Sequence, residues 1–164
     1  MKILFVFLLT LLVFSCHKKH TQKEPNSFKD IFLHKKCLSI NKVLVEDSIR
    51  IDDNSVIYLY HGLDCYTCIK RGFEITHKID SLGHQQKVFV VGVAGNIGQE
   101  QTSFKYYNYI YQDNRDFIRK ELKYLPTPIM LLINSDKEIL NIIQPGDSSD
   151  EEVEEFIKGI SFKK

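Results

Sequence analysis

The sequence predicts an α/β fold with a mixed central sheet, in the element order β-α-β-α-β-β-α. Short apolar runs with the β-branched and aromatic composition of buried strands alternate with longer segments in which apolar residues recur at helical spacing. The early strands are separated by connections long enough for helices, which requires parallel pairing. The short turn at 134–137 instead makes the last two strands an antiparallel hairpin.

The chain opens with a short apolar segment, "MKILFVFLLTLLVFSC". The run from Ile3 to Phe14 is about 18 Å long as a helix, too short for a hydrocarbon core of about 30 Å. A secretory signal peptide over residues 1–15 explains it better than a membrane span. The last four residues quoted resemble the lipobox of bacterial lipoproteins, which implies lipidation of Cys16 and an anchor on a bacterial membrane. Ordinary signal cleavage near Ser15 is the alternative.

Charge and length indicate one near-neutral domain after this signal. Residues 1–15 contain one lysine and no acid, so 149 residues remain, with 21 Lys and Arg against 21 Asp and Glu. This balance gives no indication of a nucleic-acid partner. Residues 16–30 are polar and are predicted to be a tether, and residues 31–164 to be the folded domain. Ile31–Ile51 is expected to add one or two edge strands before the core.

A strand, a helix and a second strand form the first half of the predicted core. Val56–Tyr60 is the first strand, and Lys87–Val93 is the second, followed by the glycine-bearing loop "AGNIGQE". Gly83 ends the intervening helix, whose stripe comprises Ile69, Phe73, Thr76, Ile79 and Leu82.

The second half contains a long helix, a hairpin and a last helix. The long helix is predicted from about Ser103 to Leu122, with Phe104, Tyr107 and Tyr111 on the sheet and Tyr106 and Tyr109 partly exposed. Ile129–Ile133 and Ile139–Ile143 form the hairpin, and Gln144–Ser148 breaks the chain. Ser149 and Glu152 make a capping-box signature for a helix with the apolar stripe Val153, Phe156, Ile157 and Ile160.

Cys65 and Cys68 lie three residues apart where the first long helix begins. Free N–H groups and the helix dipole favour an anion there, so the Cys65 thiolate is expected to be stabilised, with a pKa in the range of roughly 3.5–7.5. Lys70 and Arg71 add positive charge nearby. Cys65 is therefore predicted to attack a substrate disulfide, and the more buried Cys68 to resolve the mixed disulfide.

Two motifs within this element order carry a resemblance. Cys65-Tyr66-Thr67-Cys68 follows a strand, and Thr127-Pro128 opens the later hairpin "IMLLINSDKEIL". Over roughly residues 50–162 this resembles the thioredoxin fold, a three-layer sandwich, and is most similar to the membrane-tethered, exported thiol–disulfide oxidoreductases of the TlpA/ResA type.

The resemblance implies a cis Pro128, with Thr127 presenting its backbone to a substrate peptide; Pro126 is a rival for that role. It implies a protein dithiol or disulfide as substrate, a membrane or thioredoxin-type electron donor, and a domain facing the periplasm or cell exterior. No cofactor is expected.

Two departures from the thioredoxin pattern concern charge. Asp64 stands where the family carries a tryptophan, and a carboxylate there is expected to oppose thiolate formation at Cys65. The strand Val56–Tyr60 lacks the buried acid that thioredoxin places near the resolving cysteine, and Glu74 lies too far along the helix to replace it.

Other uses of the cysteines stay open. The pair could be an inert structural disulfide, or a Cu(I) or Zn clamp with His61, His77 or His84, as in a metallochaperone. Cys37 is predicted to be a buried small hydrophobe, with a third redox role as the alternative. A peroxidase of the peroxiredoxin kind would share the fold, but its proline-bearing motif is absent around Cys65. A non-catalytic binding module, using the aromatic helix as an interaction face, is the remaining hypothesis.

Overall fold

The computed structural model describes residues 27–44, 51–82 and 88–161, so the predicted signal peptide, Cys16 and most of the predicted tether lie outside it. The elements found in these ranges are, in order, α1 (Phe28–Phe32), α2 (Ile40–Val43), β1 (Ser55–His61), α3 (Tyr66–Ser81), β2 (Val88–Val93), α4 (Ile97–Phe104), β3 (Ile110–Gln112), α5 (Phe117–Glu121), β4 (Ile129–Ile133), β5 (Ile139–Ile143) and α6 (Asp150–Ser161). Among the described helices, none combines the length and the apolar character needed to cross a bilayer.

The strands form one mixed sheet in the order β3-β2-β1-β4-β5, with β1 at its centre. β1 pairs in parallel with β2, and β2 with β3, whereas β1–β4 and β4–β5 are antiparallel. Leu59 of β1 lies between Val91 and Ile129 of the two neighbouring strands. The mixed sheet and the terminal hairpin predicted from connection lengths are confirmed.

Each face of the sheet carries its own apolar cluster. Ile57 and Leu59 point to the face covered by α1, α2 and α5, whereas Tyr58 and Tyr60 point to the face covered by α3 and α6. Successive strand residues face opposite sides, and here both sides are buried, which explains why β1 is a continuous apolar run. The result is three layers, helices–sheet–helices.

The position of α3 on the sheet is fixed by a close approach. A Cβ at Gly72 would lie 2.2 Å from the Tyr58 ring, so only glycine lets the helix rest on this side chain. The Tyr58 hydroxyl donates a buried hydrogen bond to the Ile69 carbonyl at 2.9 Å. Because α3 starts at Tyr66, this contact also fixes the height of the cysteine pair above the sheet.

The capping box predicted for the last helix is present. The Ser149 hydroxyl accepts from the Glu152 N–H at 3.2 Å, and the Glu152 carboxylate accepts from the Ser149 N–H at 2.9 Å. The predicted stripe is buried: Val153, Phe156, Ile157 and Ile160.

The predicted helix from Ser103 to Leu122 is wrong. Backbone with positive φ at Lys105 (52°), Tyr109 (41°) and Asp116 (55°) divides this segment into the end of α4, the edge strand β3 and α5. The predicted exposure of two adjacent tyrosines is reversed. Tyr106, expected to be partly exposed, is buried, and Tyr107, expected to pack on the sheet, is 64% exposed. Helical spacing of aromatic residues did not outweigh the parallel pairing of β3 with β2.

The N-terminal β extension is also wrong over the described residues 27–44 and 51–54. Two short helices stand there, together with a single antiparallel bridge between Lys36 and Glu138. Ser27 and Asp30 form a capping box that starts α1, and Phe32 at its end is buried. The first three residues of α1 fall inside the range 16–30 expected to be a tether, because this cap and this apolar contact order them.

Candidate active site

The two cysteines of the motif form a disulfide at the N-terminus of α3. The Cys65–Cys68 bond has an S–S distance of 2.06 Å and a Cα–Cα distance of 5.3 Å. Cys65 is the N-cap residue, with extended backbone (φ −62°, ψ 130°), and is exposed. Cys68 is half-buried one turn on. An accessible outer sulfur therefore sits beside a shielded inner one.

Two donors point at the outer sulfur. The Cys68 N–H donates to Cys65 Sγ at 3.1 Å, and the Thr67 hydroxyl lies 3.2 Å from the same atom. A disulfide sulfur carries no hydrogen, so the hydroxyl is the donor in the second contact. In the reduced protein these donors and the helix dipole would stabilise a Cys65 thiolate.

The inner sulfur is covered by the loop that follows β5. A Cβ at Gly146 would lie 2.8 Å from Cys68 Sγ, so a larger residue there would collide with the sulfur. An open depression of about 320 Å³ beside it is lined by Thr67, Cys68, Lys70, Arg71, Glu74 and Gly146.

The cations expected to support the thiolate are engaged elsewhere. Lys70 pairs with Glu74 at 3.6 Å, with both side chains exposed. Arg71 donates to the Ser148 carbonyl at 3.2 Å and to Asp150 at 2.7 Å, which links α3 to the start of α6. Backbone and hydroxyl donors, rather than a free cation, therefore make the direct contacts to Cys65.

Asp64 and Thr127 are brought together beside the pair. Asp64 Oδ2 accepts from the His61 N–H at 2.7 Å, and its Oδ1 accepts from the Thr127 hydroxyl at 2.9 Å. The Thr127–Pro128 peptide bond is cis, whereas Pro126, the rival position, is exposed. Thr127, one of the two predicted substrate-binding residues, is thus hydrogen-bonded to the residue that precedes Cys65.

A second cavity, about 330 Å³ in volume, opens between the start of α3 and α4. Asp64, Tyr66, Glu100 and Phe104 are among its lining residues. The Tyr66 and Phe104 rings lie 5.6 Å apart, and Phe104 stacks on Phe73 at 4.5 Å. This cavity gives Cys65 a neighbouring surface with an aromatic wall and two carboxylates.

The groups beneath α3 are phenols. β1 contributes Tyr58 and Tyr60, and no acid, to the face that α3 covers. Burial raises the pKa of both side chains well above the ordinary value of 10.0. The Tyr60 hydroxyl donates to the Glu100 carboxylate, which raises the Tyr60 pKa further. The proton-accepting acid of thioredoxin thus has no counterpart on this strand.

Cys37 is separated from the pair by the sheet. It is fully buried in the cluster opposite α3, and burial, followed by the charge of Glu121, raises its pKa from 9.0 to about 12. The prediction of a buried small hydrophobe is confirmed.

The histidines proposed as metal ligands make local contacts. The His61 ring Nδ1 accepts from the Leu63 N–H at 3.1 Å, and His77 Nε2 lies 2.9 Å from the Phe104 carbonyl. His84 is outside the described residues. Within the part of the chain that the structure describes, no three His, Cys, Asp or Glu side chains gather as a metal-binding group.

Sequence reasoning missed Gly146, Glu100 and the bond from Asp64 to Thr127. Gly146 was recognised only as part of a chain break, and nothing local indicates that it touches Cys68, 78 positions earlier. Asp64 was singled out for its charge, but its partner lies 63 residues away. Only the antiparallel pairing of β1 with β4 could have pointed to that pair.

Solved structures with this architecture include proteins described as a disulfide oxidoreductase and a thiol-disulfide isomerase. A secreted disulfide oxidoreductase of Mycobacterium tuberculosis, described as homologous to E. coli DsbE, matches with a TM-score of 0.54 and 10% identity, covering 66% of this chain and 84% of that one. A thiol-disulfide isomerase from Corynebacterium glutamicum matches with a TM-score of 0.51 and 16% identity, covering 70% and 84%. StoA from Bacillus subtilis matches with a TM-score of 0.50 and 16% identity, covering 70% and 92%.

Neither the models of known protein families nor the curated proteins gave a match. The three structures named above are each below 25% identity, so they establish the architecture. The chain has the thioredoxin fold, with a mixed five-stranded sheet and a Cys-x-x-Cys disulfide at a helix N-terminus.

Proposed function

We propose that this protein is a membrane-tethered thiol–disulfide oxidoreductase that reduces or isomerises protein disulfides in the bacterial cell envelope. One observation carries the proposal. The exposed Cys65 sulfur, as the N-cap of α3, accepts hydrogen bonds from the Cys68 N–H and the Thr67 hydroxyl, while its half-buried partner lies one turn away. An inert structural bridge needs no such donors at its exposed sulfur.

The reaction balances as two successive exchanges. The Cys65 thiolate attacks one sulfur of a substrate disulfide; a mixed disulfide forms and the other substrate sulfur leaves as a thiolate. Cys68 then attacks Cys65 Sγ and gives its proton to the first departing substrate thiolate; the Cys65–Cys68 disulfide forms and the second substrate sulfur leaves as a thiolate. Two electrons pass to the substrate, and a dithiol donor of the membrane or thioredoxin type restores the reduced pair.

Thr127 and Pro128 are proposed to hold the substrate peptide beside Cys65 through the Thr127 backbone. The bond from Thr127 to Asp64 supports this role, since it keeps their loop next to the reactive sulfur. The aromatic cavity lined by Tyr66 and Phe104 offers a further contact surface near Cys65.

Cys16 is proposed to carry the lipid anchor, with the domain facing the periplasm or cell exterior. The matched Mycobacterium tuberculosis protein is described as secreted. An oxidising compartment is also the setting in which a Cys65–Cys68 disulfide persists.

Insulin reduction with dithiothreitol as donor tests the activity. Wild type should accelerate it, whereas Cys65→Ser should abolish turnover because the attacking sulfur is gone. Cys68→Ser should accumulate a mixed disulfide at Cys65, visible by mass spectrometry under non-reducing conditions. Cys37→Ser is the matched control and should retain turnover, since Cys37 lies on the opposite face of the sheet.

A wild-type protein without insulin-reductase activity, and with no mixed disulfide in Cys68→Ser, would contradict the proposal. Metal analysis of the same preparation distinguishes the oxidoreductase from the metallochaperone hypothesis. One equivalent of copper or zinc that is lost in both Cys65→Ser and Cys68→Ser, without thiol turnover, would favour it.

A further inference from the structure

Asp64 is bonded to two separate parts of the chain. The half-buried carboxylate accepts one hydrogen bond at each oxygen, from the His61 N–H at the end of β1 and from the Thr127 hydroxyl before β4. The Asp64 N–H also donates to the His61 carbonyl at 2.9 Å, so two hydrogen bonds between His61 and Asp64 close the turn from β1 to the cysteines. Hydrogen bonds to a charged group are the stronger ones in proteins.

The sheet register explains why these groups meet. β1 and β4 are antiparallel, with Leu59 opposite Ile129, so continuing the register by two residues places Thr127 opposite His61. Strand pairing ends at Ile129, and the loop before it is held to the redox turn by the Thr127–Asp64 bond. This bond therefore links the segment proposed to bind substrate to the residue adjacent to the attacking sulfur.

We propose that Asp64 is a positioning residue for disulfide exchange, whose carboxylate holds the Thr127 loop beside Cys65 through the Thr127 hydroxyl. The inference rests on the proposed function and deepens it. The presence of Asp64 before the first cysteine is then a structural requirement of this site, and its negative charge is partly compensated by the two donors.

The charge and the hydrogen bond can be separated by substitution. Thr127→Val removes the donor with nearly the same shape and leaves the charge of Asp64 in place. Asp64→Asn removes the charge and retains one acceptor oxygen. The other titratable or charged side chains on neighbouring elements stay unchanged in both: His61 on β1, Lys70, Arg71 and Glu74 on α3, and Glu100 on α4.

The test measures steady-state kinetics with a disulfide peptide, and the Cys65 pKa by alkylation of the reduced protein. Thr127→Val should raise KM about three- to tenfold, the effect of one hydrogen bond, with little change in the Cys65 pKa. Asp64→Asn should lower that pKa by about half a unit to one unit, which makes the pair up to about tenfold easier to reduce. Thr127→Ser keeps a hydroxyl, so its KM should stay close to the wild-type value.

The double variant provides the decisive comparison. If Asp64 acts through Thr127, the KM effects of Asp64→Ala, which removes both acceptor oxygens, and Thr127→Val are not additive: the double variant should resemble Asp64→Ala alone. Thr102→Val is the matched control, since the Thr102 hydroxyl is exposed and bonds only within its own helix, to the Gly98 carbonyl. An unchanged KM in Thr127→Val, or additive effects in the double variant, would overturn the inference.

Failure of the inference is distinguishable from failure of the proposed function. An inactive wild type overturns both the function and any positioning role in exchange. An active wild type whose Asp64 and Thr127 variants behave independently overturns the inference alone.

Discussion

Two thiols of one chain, Cys37 and Cys65, lie in opposite surroundings. Cys65 is exposed at a helix N-terminus with two donors at its sulfur, whereas Cys37 is enclosed in apolar side chains on the far side of the sheet. Donors and dipole favour the thiolate at Cys65, while burial disfavours it at Cys37. Position in the fold, not residue type, therefore decides which sulfur is available for exchange.

Cys37 should make stability fall at alkaline pH. Its folded-state pKa is about 12 against 9.0 in the unfolded chain, so the stabilisation is complete below pH 9 and is lost as pH rises towards 12. Between pH 8 and 10 the free energy of unfolding should fall by about 1 kcal/mol more in wild type than in Cys37→Ala. Urea denaturation at both pH values measures this, and the buried tyrosines, present in both proteins, cancel.

A Cys37→Ala protein whose stability falls as steeply as that of wild type over this range would contradict the buried-thiol explanation. The same substitution removes the free cysteine thiol, so alkylation of the reduced protein then reports on Cys65 and Cys68 alone among residues 27–44, 51–82 and 88–161.

At the scale of elements, the helices and strands with the strongest local sequence patterns are the ones predicted correctly. α3 and α6 were predicted because each combines a regular apolar stripe with a start signature, Cys-x-x-Cys or the Ser149 capping box. The hairpin was predicted because a short turn permits only antiparallel pairing. β3 has three residues and no distinctive pattern; its strand character comes from pairing with β2, which local sequence does not encode.

Two glycines on helices should respond to alanine with opposite signs. Gly72→Ala places a Cβ 2.2 Å from the Tyr58 ring between α3 and the sheet and should cost about 1–3 kcal/mol of unfolding free energy. Gly159→Ala on α6 is exposed, and its Cβ would meet Asn141 Nδ2 only at 4.0 Å. It should stabilise the protein by about 0.5 kcal/mol, through reduced backbone entropy of the unfolded chain.

Thermal or urea unfolding of the two variants beside wild type measures both effects. Equal and small changes in the two variants would show that α3 can move away from the sheet without loss of unfolding free energy. The contact with Tyr58 would then not determine the position of α3.

At the scale of the whole molecule, the fold brings together residues that are far apart in the chain. Cys65 and Cys68 were identified from spacing, and Thr127 from a resemblance, because those signatures are local. The contacts of Gly146 with Cys68 and of Thr127 with Asp64 arise only when β4 pairs with β1 and β5 pairs with β4. The two cysteines that form the disulfide were therefore identifiable from sequence, and their contacts with distant parts of the chain were not.

The same scale includes the position of the protein in the cell. If Cys16 is lipidated, wild type expressed with its signal should pellet with membranes, since acyl chains hold a protein on a bilayer. Cys16→Ser should leave the protein in the soluble fraction with its insulin-reductase activity intact. Metabolic labelling with a fatty acid that marks wild type and not Cys16→Ser identifies the lipid; equal labelling, or equal pelleting, would contradict the anchor.

The segment from His34 to Cys37 lies along the outer edge of β5. Its backbone exchanges hydrogen bonds with Ile139 in both directions, and the Cys37 N–H donates to the Lys137 carbonyl at 2.8 Å. An open strand edge is a template for pairing with another chain. This short segment therefore occupies backbone groups at the start of the β5 edge. A shortened protein that begins after Cys37 would leave those groups open to pairing with a neighbouring molecule.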